Sequence, residues 1–261
     1  MRFWLWKEWM KMKKALVTGA SSGIGRDMTR YLVELGYEVF AVARNENKLR
    51  ELQEELGDRV KGIIKDLSNK ENCIHLYEEL KQENIDLLIN NAGFGIFGNF
   101  TETDLEKELK LIDTNITAVH ILTKLFLQDM VKQNKGKILN VSSIAGTAPG
   151  PLMAAYYSSK AYVLRLTESI SEELKKQKSN VTISALCPGP VATNFNNVAN
   201  VKFSIKALSS EYVAKYAIDK TLKGKLVIIP GNKMKVLKIL SKIAPDKLAM
   251  KMVYANQKRK I

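Results

Sequence analysis

Apolar residues along the chain fall into two alternating rhythms. Short runs rich in Val, Ile and Leu, at Ala15–Val17, Glu38–Ala43, Val60–Ile64, Ile85–Ile89, Lys137–Val141, Val181–Ala185 and Lys225–Ile229, are separated by longer segments whose apolar residues recur three and four apart. Buried strands alternating with helices bury both their surfaces only when helices cover both faces of one parallel sheet. The pattern therefore predicts an α/β fold built on a doubly wound, mostly parallel seven-stranded sheet with helices on both faces. The first helix, Ile24–Leu35, stops before Gly36, and the second, Glu46–Leu56, follows Asn45 as its N-cap and stops before Gly57. No repeat, low-complexity tract or Pro/Gly-rich linker divides the body. A single domain is expected, and 261 residues with 46% apolar content are enough to bury its core.

Charge changes the picture only at the ends. The net charge of +14 suggests nucleic acid until it is located: residues 1–14 carry five basic residues against Glu8, and residues 233–261 carry nine against Asp246. The ends thus hold 12 of the 14 excess charges, and a near-neutral body has no basic groove for nucleic acid. Three segments follow: an extension at 1–12 outside the core, a catalytic body at 13–232, and a basic amphipathic segment at 233–261. The first ten residues mix Arg2, Lys7 and Glu8 with aromatics and do not form a secretory leader. The longest uncharged stretch, between Lys137 and Lys160, contains Pro149, Gly150 and Pro151 and is not a membrane span. A cytoplasmic protein is expected. Cys73 and Cys187, far apart and without metal-ligand spacing, read as reduced thiols, and His75 and His120 read as structural, so no metal is expected.

Candidate chemistry begins directly after the first run. Thr18-Gly19-Ala20-Ser21-Ser22-Gly23-Ile24-Gly25 places glycines where a chain must turn sharply and let a pyrophosphate approach the start of a helix. The spacing is GxxxGxG, and the strand, turn, helix and strand around it make a dinucleotide site. An acid at the end of the second strand would bind a ribose 2′-hydroxyl. Here the chain reads Ala43-Arg44, and a guanidinium suits a 2′-phosphate, so NADP (NADPH) is expected rather than NAD.

The sequence from Lys13 to about Gly231 resembles the short-chain dehydrogenase/reductase family. The resemblance rests on Thr18 to Gly25, Asp66-Leu67, Asn90-Asn91-Ala92-Gly93, Asn115, Ser142-Ser143, Tyr156-x-x-x-Lys160, and Pro188-Gly189 with Thr193. It implies a Rossmann-type fold and an oxidoreductase, of the carbonyl reductase kind, moving a hydride between NADP(H) and a carbonyl or secondary alcohol. A carbonyl that accepts hydride develops charge on oxygen and needs an acid within reach. Tyr156 could serve if its pKa fell from about 10 toward neutrality. Lys160, one turn on and on the same face, is expected to lower it. The resemblance also implies that Lys160 holds the nicotinamide ribose, that Ser143 orients the substrate oxygen, and that Asn115 holds a water of a proton relay. The resemblance implies Ser143 rather than Ser142, because Ser143 lies thirteen residues before Tyr156 and directly before Ile144-Ala145-Gly146, the family's usual register. For the cofactor it implies Gly19, Ser21, Ser22, Gly23, Ile24 and Gly25 at the phosphates, Asp66 and Leu67 beside the adenine, and Asn91, Ala92 and Gly93 along its ribose. Val191 and Thr193 would meet the nicotinamide amide. Relatives are usually dimers or tetramers, so a homodimer or homotetramer is expected.

The loops that form the substrate pocket in such proteins supply Phe94, Ile96, Phe97, Ile144, Met153, Phe195, Val198 and Phe203, which suggests an apolar substrate or, equally, a packed lid. Lys233–Ile243 sets apolar and basic residues on opposite helix faces, and Pro245 separates it from a second helix at Asp246–Tyr254. That shape suits peripheral contact with an anionic membrane, contact with another subunit, or packing on the body with lysines in solvent. Phe3, Trp4, Trp6 and Trp9 read either as an interfacial anchor or as residues upstream of a start near Met12, and are expected to pack poorly on the core. Two other classes remain as alternatives: a regulator that binds NADP without chemistry, and a membrane-associated scaffold.

Overall fold

The structure is a computed structural model that describes residues 12–193, 195, 207–236 and 246–258. Seven strands form one sheet: β1 (Lys14–Thr18), β2 (Glu38–Ala43), β3 (Val60–Ile64), β4 (Leu87–Asn90), β5 (Lys137–Val141), β6 (Thr182–Leu186) and β9 (Val227–Ile228). Their order is β3-β2-β1-β4-β5-β6-β9, and every neighbouring pair is parallel. The chain winds outward from β1 to β3, then returns to place β4 on the other side of β1. The carboxyl ends of β1 and β4 therefore flank the point where the winding reverses, where open α/β sheets bind ligands.

Side chains alternate between two cores, as the two-residue period of a strand requires. Ala15, Val17, Val39, Ala41, Leu87 and Ile89 point to one face, against Met28 and Leu32 of α1 (Gly23–Glu34) and Val213, Ala217 and Ile218 of α7 (Ser210–Leu222). Leu16, Phe40, Val42, Leu88 and Ile138 point to the other, against α3 (Lys70–Leu80) and α5 (Ala118–Lys132). The long helix α6 (Ala154–Lys176) covers that face beside α5, adding Leu174. The expected α1 stop is a full Schellman turn: Gly36, at φ 85°, donates to the Val33 carbonyl and Tyr37 to that of Leu32. Asn45 caps α2 (Glu46–Leu56) by accepting the Lys48 N–H at 2.9 Å.

Two strands differ from expectation by two residues at their starts, while β1 and β6 differ by one residue at each end. The fourth strand starts at Leu87 rather than Ile85, because Asp86 spends its carboxylate and its N–H on the Lys14 backbone at the lip of the ladder. The last strand shrinks to Val227–Ile228, since this edge pairs with β6 alone and over two residues. A second small parallel sheet, β7 (Val191–Ala192) with β8 (Leu208–Ser209), was not anticipated, as two-residue ladders leave no period to read. α8 (Asp246–Lys258) runs four residues past the expected Tyr254. No helix among the described residues is long and apolar enough to cross a membrane. Residues 1–11, most of Lys233–Ile243 beyond Val236, and the candidate pocket residues Val198 and Phe203 lie outside the described residues.

Candidate active site

The glycine turn and the Asn90–Gly93 segment are built as one piece. The Thr18 hydroxyl accepts the N–H groups of Asn91 and Ala92 at 2.9 and 3.0 Å, and the Asn91 amide donates back to the carbonyls of Thr18 and Gly19 at 2.9 and 3.2 Å. These bonds tie the ends of β1 and β4 together. Glycine is required at Gly25, where a Cβ would overlap the Gly19 carbonyl oxygen, and at Gly19, which sits at φ 66° with Ala92 Cα only 2.9 Å from where a Cβ would lie. Ser22 precedes α1 in extended backbone and spends no side-chain bond on capping it. Thr193 lies over this turn, its Cγ2 3.0 Å from a Cβ built on Gly23. Ser21 and Ile24 stand half-buried on the same turn, and Val191 is buried in β7.

The segment after β4 meets Lys160 at Gly93 and Tyr156 at Gly95. A Cβ on Gly93 would lie 3.2 Å from Lys160 Nζ and 2.8 Å from Asn115 Oδ1, and one on Gly95 3.4 Å from Tyr156 Cδ2, so these glycines let the segment lie against α6. Asn115 is fully buried in a π-helical turn, Asp113–Thr117, that interrupts the α-helical run between α4 (Leu105–Ile112) and α5. Its amide donates to the Phe94 carbonyl at 2.9 Å and to Ser159 Oγ at 3.0 Å, while its carbonyl accepts the Phe94 N–H at 3.1 Å. Both amide donors are thereby engaged with protein. The Asn115 side chain clamps the 93–95 segment to α6. Ser142 donates to the Lys160 carbonyl at 2.7 Å and belongs to the scaffold, whereas Ser143 Oγ accepts the Ala145 N–H at 3.1 Å, donates to the Pro188 carbonyl at 3.5 Å and lies beside the Tyr156 phenol.

Lys160 is 5% exposed, with its Nζ donating to the Val141 carbonyl at 2.9 Å and no carboxylate paired with it among the described residues. Burial lowers its pKa to about 8. Burial also pushes the Tyr156 phenol up, to about 12, with the Ser143 hydrogen bond pulling it back only in part. The expectation that Lys160 lowers the phenol toward neutrality is not met in this structure: desolvation, the largest cause at each group, disfavours the charged form of both. At neutral pH, Tyr156 carries its proton and is a donor.

These positions can be set beside known proteins. The profile described as short chain dehydrogenase matches residues 13–202. The chain belongs to that family. It is 32% identical over 191 residues to the 3-oxoacyl-(acyl-carrier-protein) reductase FabG of Haemophilus influenzae, covering 72% of this chain and 78% of that protein. Among solved structures it resembles a short-chain dehydrogenase of Sphingobium yanoikuyae in complex with NADPH, with a TM-score of 0.80, 26% identity, and coverage of 88% of this chain and 94% of that one. A short chain dehydrogenase/reductase of Burkholderia phymatum in complex with NAD gives a TM-score of 0.80, 25% identity, and coverage of 88% and 92%. As a short chain dehydrogenase the chain is an oxidoreductase that binds a nucleotide.

Other residues of this short chain dehydrogenase divide by where they sit. Arg44 is exposed at the end of β2 and pairs with no carboxylate among the described residues. Asp66 is exposed after β3 and accepts the N–H and hydroxyl of Ser68, which shapes the turn. Leu67 is buried in the second core, so its side chain is committed to packing, and its carbonyl accepts from the Cys73 thiol at 3.5 Å. Of the apolar candidates, Phe97, Met153 and Phe195 gather around Tyr156, with the Phe195 ring centre 5.4 Å from that of Tyr156. Phe94 is half-buried and held by its backbone. Ile144 is half-buried: its N–H binds the Pro188 carbonyl, and its side chain packs on the cluster of Leu164, Ala185 and Cys187. Cys73 and Cys187 are buried, and no disulfide joins them.

Sequence reasoning missed the support beneath the site. Asn90 donates to Asn140 and Thr123, and Asn140 donates to Thr167, a fully buried polar chain linking β4, β5, α5 and α6. It also missed Ser159 and Gln257. Asn and Thr at the buried ends of otherwise apolar strands and helices were the signal for the first.

Proposed function

We propose that the chain is an NADP(H)-dependent oxidoreductase that reduces a carbonyl, or oxidises the corresponding secondary alcohol, on a largely apolar substrate, with Tyr156 as the acid/base. The observation that supports this reading is that Lys160 Nζ lies 3.2 Å from a Cβ built on Gly93 and Tyr156 Cδ2 3.4 Å from one built on Gly95, so a half-buried phenol and a buried lysine stand beside the segment after β4, at the sheet's reversal point. The residues fit a dinucleotide: Gly19, Gly23 and Gly25 leave the turn without side chains, and Lys160 is buried with no carboxylate paired to it among the described residues. Arg44, paired with no carboxylate among the described residues, suits a 2′-phosphate and so NADP over NAD.

When bound, the nicotinamide supplies or accepts the hydride at the substrate carbon. In reduction, Ser143 Oγ and the Tyr156 hydroxyl hydrogen-bond the carbonyl oxygen, and Tyr156 transfers its proton there as charge develops. Lys160 stabilises the phenolate left behind and holds the ribose hydroxyls. Asn115 keeps the 93–95 segment, and with it Lys160, in register. Phe97, Met153 and Phe195 give the substrate an apolar wall. The family is an oligomeric one by habit, and a homodimer or homotetramer is proposed for this member. The body, residues 13–232, would carry the chemistry.

Purified protein is assayed by NADPH absorbance with a panel of ketones, 3-ketoacyl thioesters and ketosteroids. Tyr156→Phe is expected to lower kcat by about 10²–10⁴ while NADPH affinity stays nearly unchanged. Turnover retained in that variant ends the reading, and NADPH binding without turnover on any carbonyl favours a regulator.

A further inference from the structure

The C-terminal helix returns to the site. Gln257, on α8, is 1% exposed, and its Nε2 donates to the Tyr157 hydroxyl at 2.9 Å and lies 3.7 Å from Met153 Sδ. A buried primary amide is unfavourable unless it is hydrogen-bonded, so this contact across 100 residues of sequence is a specific one. Both of its neighbours border the proposed acid/base. The Tyr157 ring meets that of Tyr156 edge to face, with centres 6.2 Å apart, and lies flat over Gly150, where any Cβ would run into it. Met153 packs with Phe97, Tyr156 and Phe195, and its Cε comes within 3.2 Å of a Cβ built on Gly95. Tyr157 therefore has its face committed to Gly150, its edge to Tyr156 and its hydroxyl to Gln257. Only the last of these comes from outside the catalytic body.

We propose that Gln257 is a specificity-determining positioning residue. Bonded to Tyr157 and seated on Met153, it makes α8 the outer wall of the substrate pocket and sets how bulky a ketone can reach Tyr156. This inference rests on the oxidoreductase reading above. Gln257 acts through Tyr157 and Met153, so its removal changes which substrates fit while leaving the proton donor and the cofactor loop in place.

The test compares two diketones with the same reacting group, 2,3-butanedione and the bulkier benzil, in the wild type, Gln257→Leu, Tyr157→Phe and the double variant. Each single variant is expected to shift the ratio of kcat/KM between the two ketones by about five- to tenfold, the worth of one hydrogen bond. The shift should lie in KM, with NADPH affinity unchanged. The double variant should show no more than either single change, since both cut the same bond. Tyr157→Phe removes a single oxygen atom and reads the link even where Gln257→Leu loosens α8. A ratio within about twofold of wild type in both single variants, or additive effects in the double, overturns the inference. Lack of turnover by the wild type with every carbonyl overturns the oxidoreductase reading as well; turnover with unchanged selectivity overturns this one alone.

Discussion

The ammonium of Lys160 stands 5.9 Å from the ring centre of Tyr156, and burial drives both groups toward their neutral forms. The protein thus keeps a protonated donor and a reluctant cation side by side, an arrangement that is unfavourable for folding and useful for proton transfer.

That relationship sets a dependence of stability on pH. Lys160 has a folded-state pKa of about 8 against 10.5 for a free lysine. Between these values the unfolded chain holds the additional proton, so stability rises with pH across the window, and below it the fold bears a buried ammonium. Lys160→Met is expected to abolish turnover and to raise stability at about pH 7, with the gain smaller by about 2 kcal/mol at about pH 9.5. Chemical denaturation at both pH values checks it, and a gain independent of pH would refute the buried-cation account. Tyr156, shifted up, loses its contribution only as pH climbs from 10 toward 12, above this window.

Arg44 tests the cofactor preference. Arg44→Ala is expected to weaken NADPH relative to NADH by about 10- to 100-fold, as loss of a forked charge-assisted contact should. Fluorescence titration with both nucleotides measures it; an unchanged ratio removes Arg44 from the 2′-phosphate.

Gly25 tests the cradle. A methyl there would meet the Gly19 carbonyl oxygen and the Asn91 amide, neither the loose end of a flexible chain. Gly25→Ala should cost about 1–3 kcal/mol of stability and abolish measurable dinucleotide binding. A variant with wild-type affinity by calorimetry would show that the turn yields.

The buried polar chain tests the support. Asn140→Ala leaves Asn90, Thr123 and Thr167 each short of a partner, and about 3 kcal/mol of destabilisation is expected. A loss under about 1 kcal/mol in urea titration would mean that water fills the gap as well as the amide does.

Much of this was legible in the residues. The two-residue and 3.6-residue rhythms placed β2, β3, β5 and α2 at their observed bounds, because a strand buried on both faces must be apolar throughout and a helix packed on one side must not. The glycine turn was legible because the demand for it is local: left-handed backbone at Gly19 and Gly23 is set within a few residues. Ser142 and Ser143, adjacent in sequence, differ in their bonds: Ser142 holds the Lys160 carbonyl and Ser143 accepts the Ala145 N–H.

The contacts of Ile144 were not legible, for the opposite reason. A short turn carries no period, and the Ile144 N–H meets the Pro188 carbonyl, 44 positions away in the chain. The same holds for the clamp between Asn115 and Ser159, for the Asn90–Asn140 pair, and for Gln257 on Tyr157.

By itself, then, the amino-acid sequence determined the order of elements, the winding of the sheet and the residue types at the turn and along α6, since these follow from periodicity and local backbone sterics. Only the tertiary structure decided the protonation preferences of Tyr156 and Lys160, the partner of each buried amide and the wall that α8 places beside the site. Those depend on how much water each group loses and on which distant atoms replace it, and desolvation is a property of the packed protein rather than of any segment of its chain.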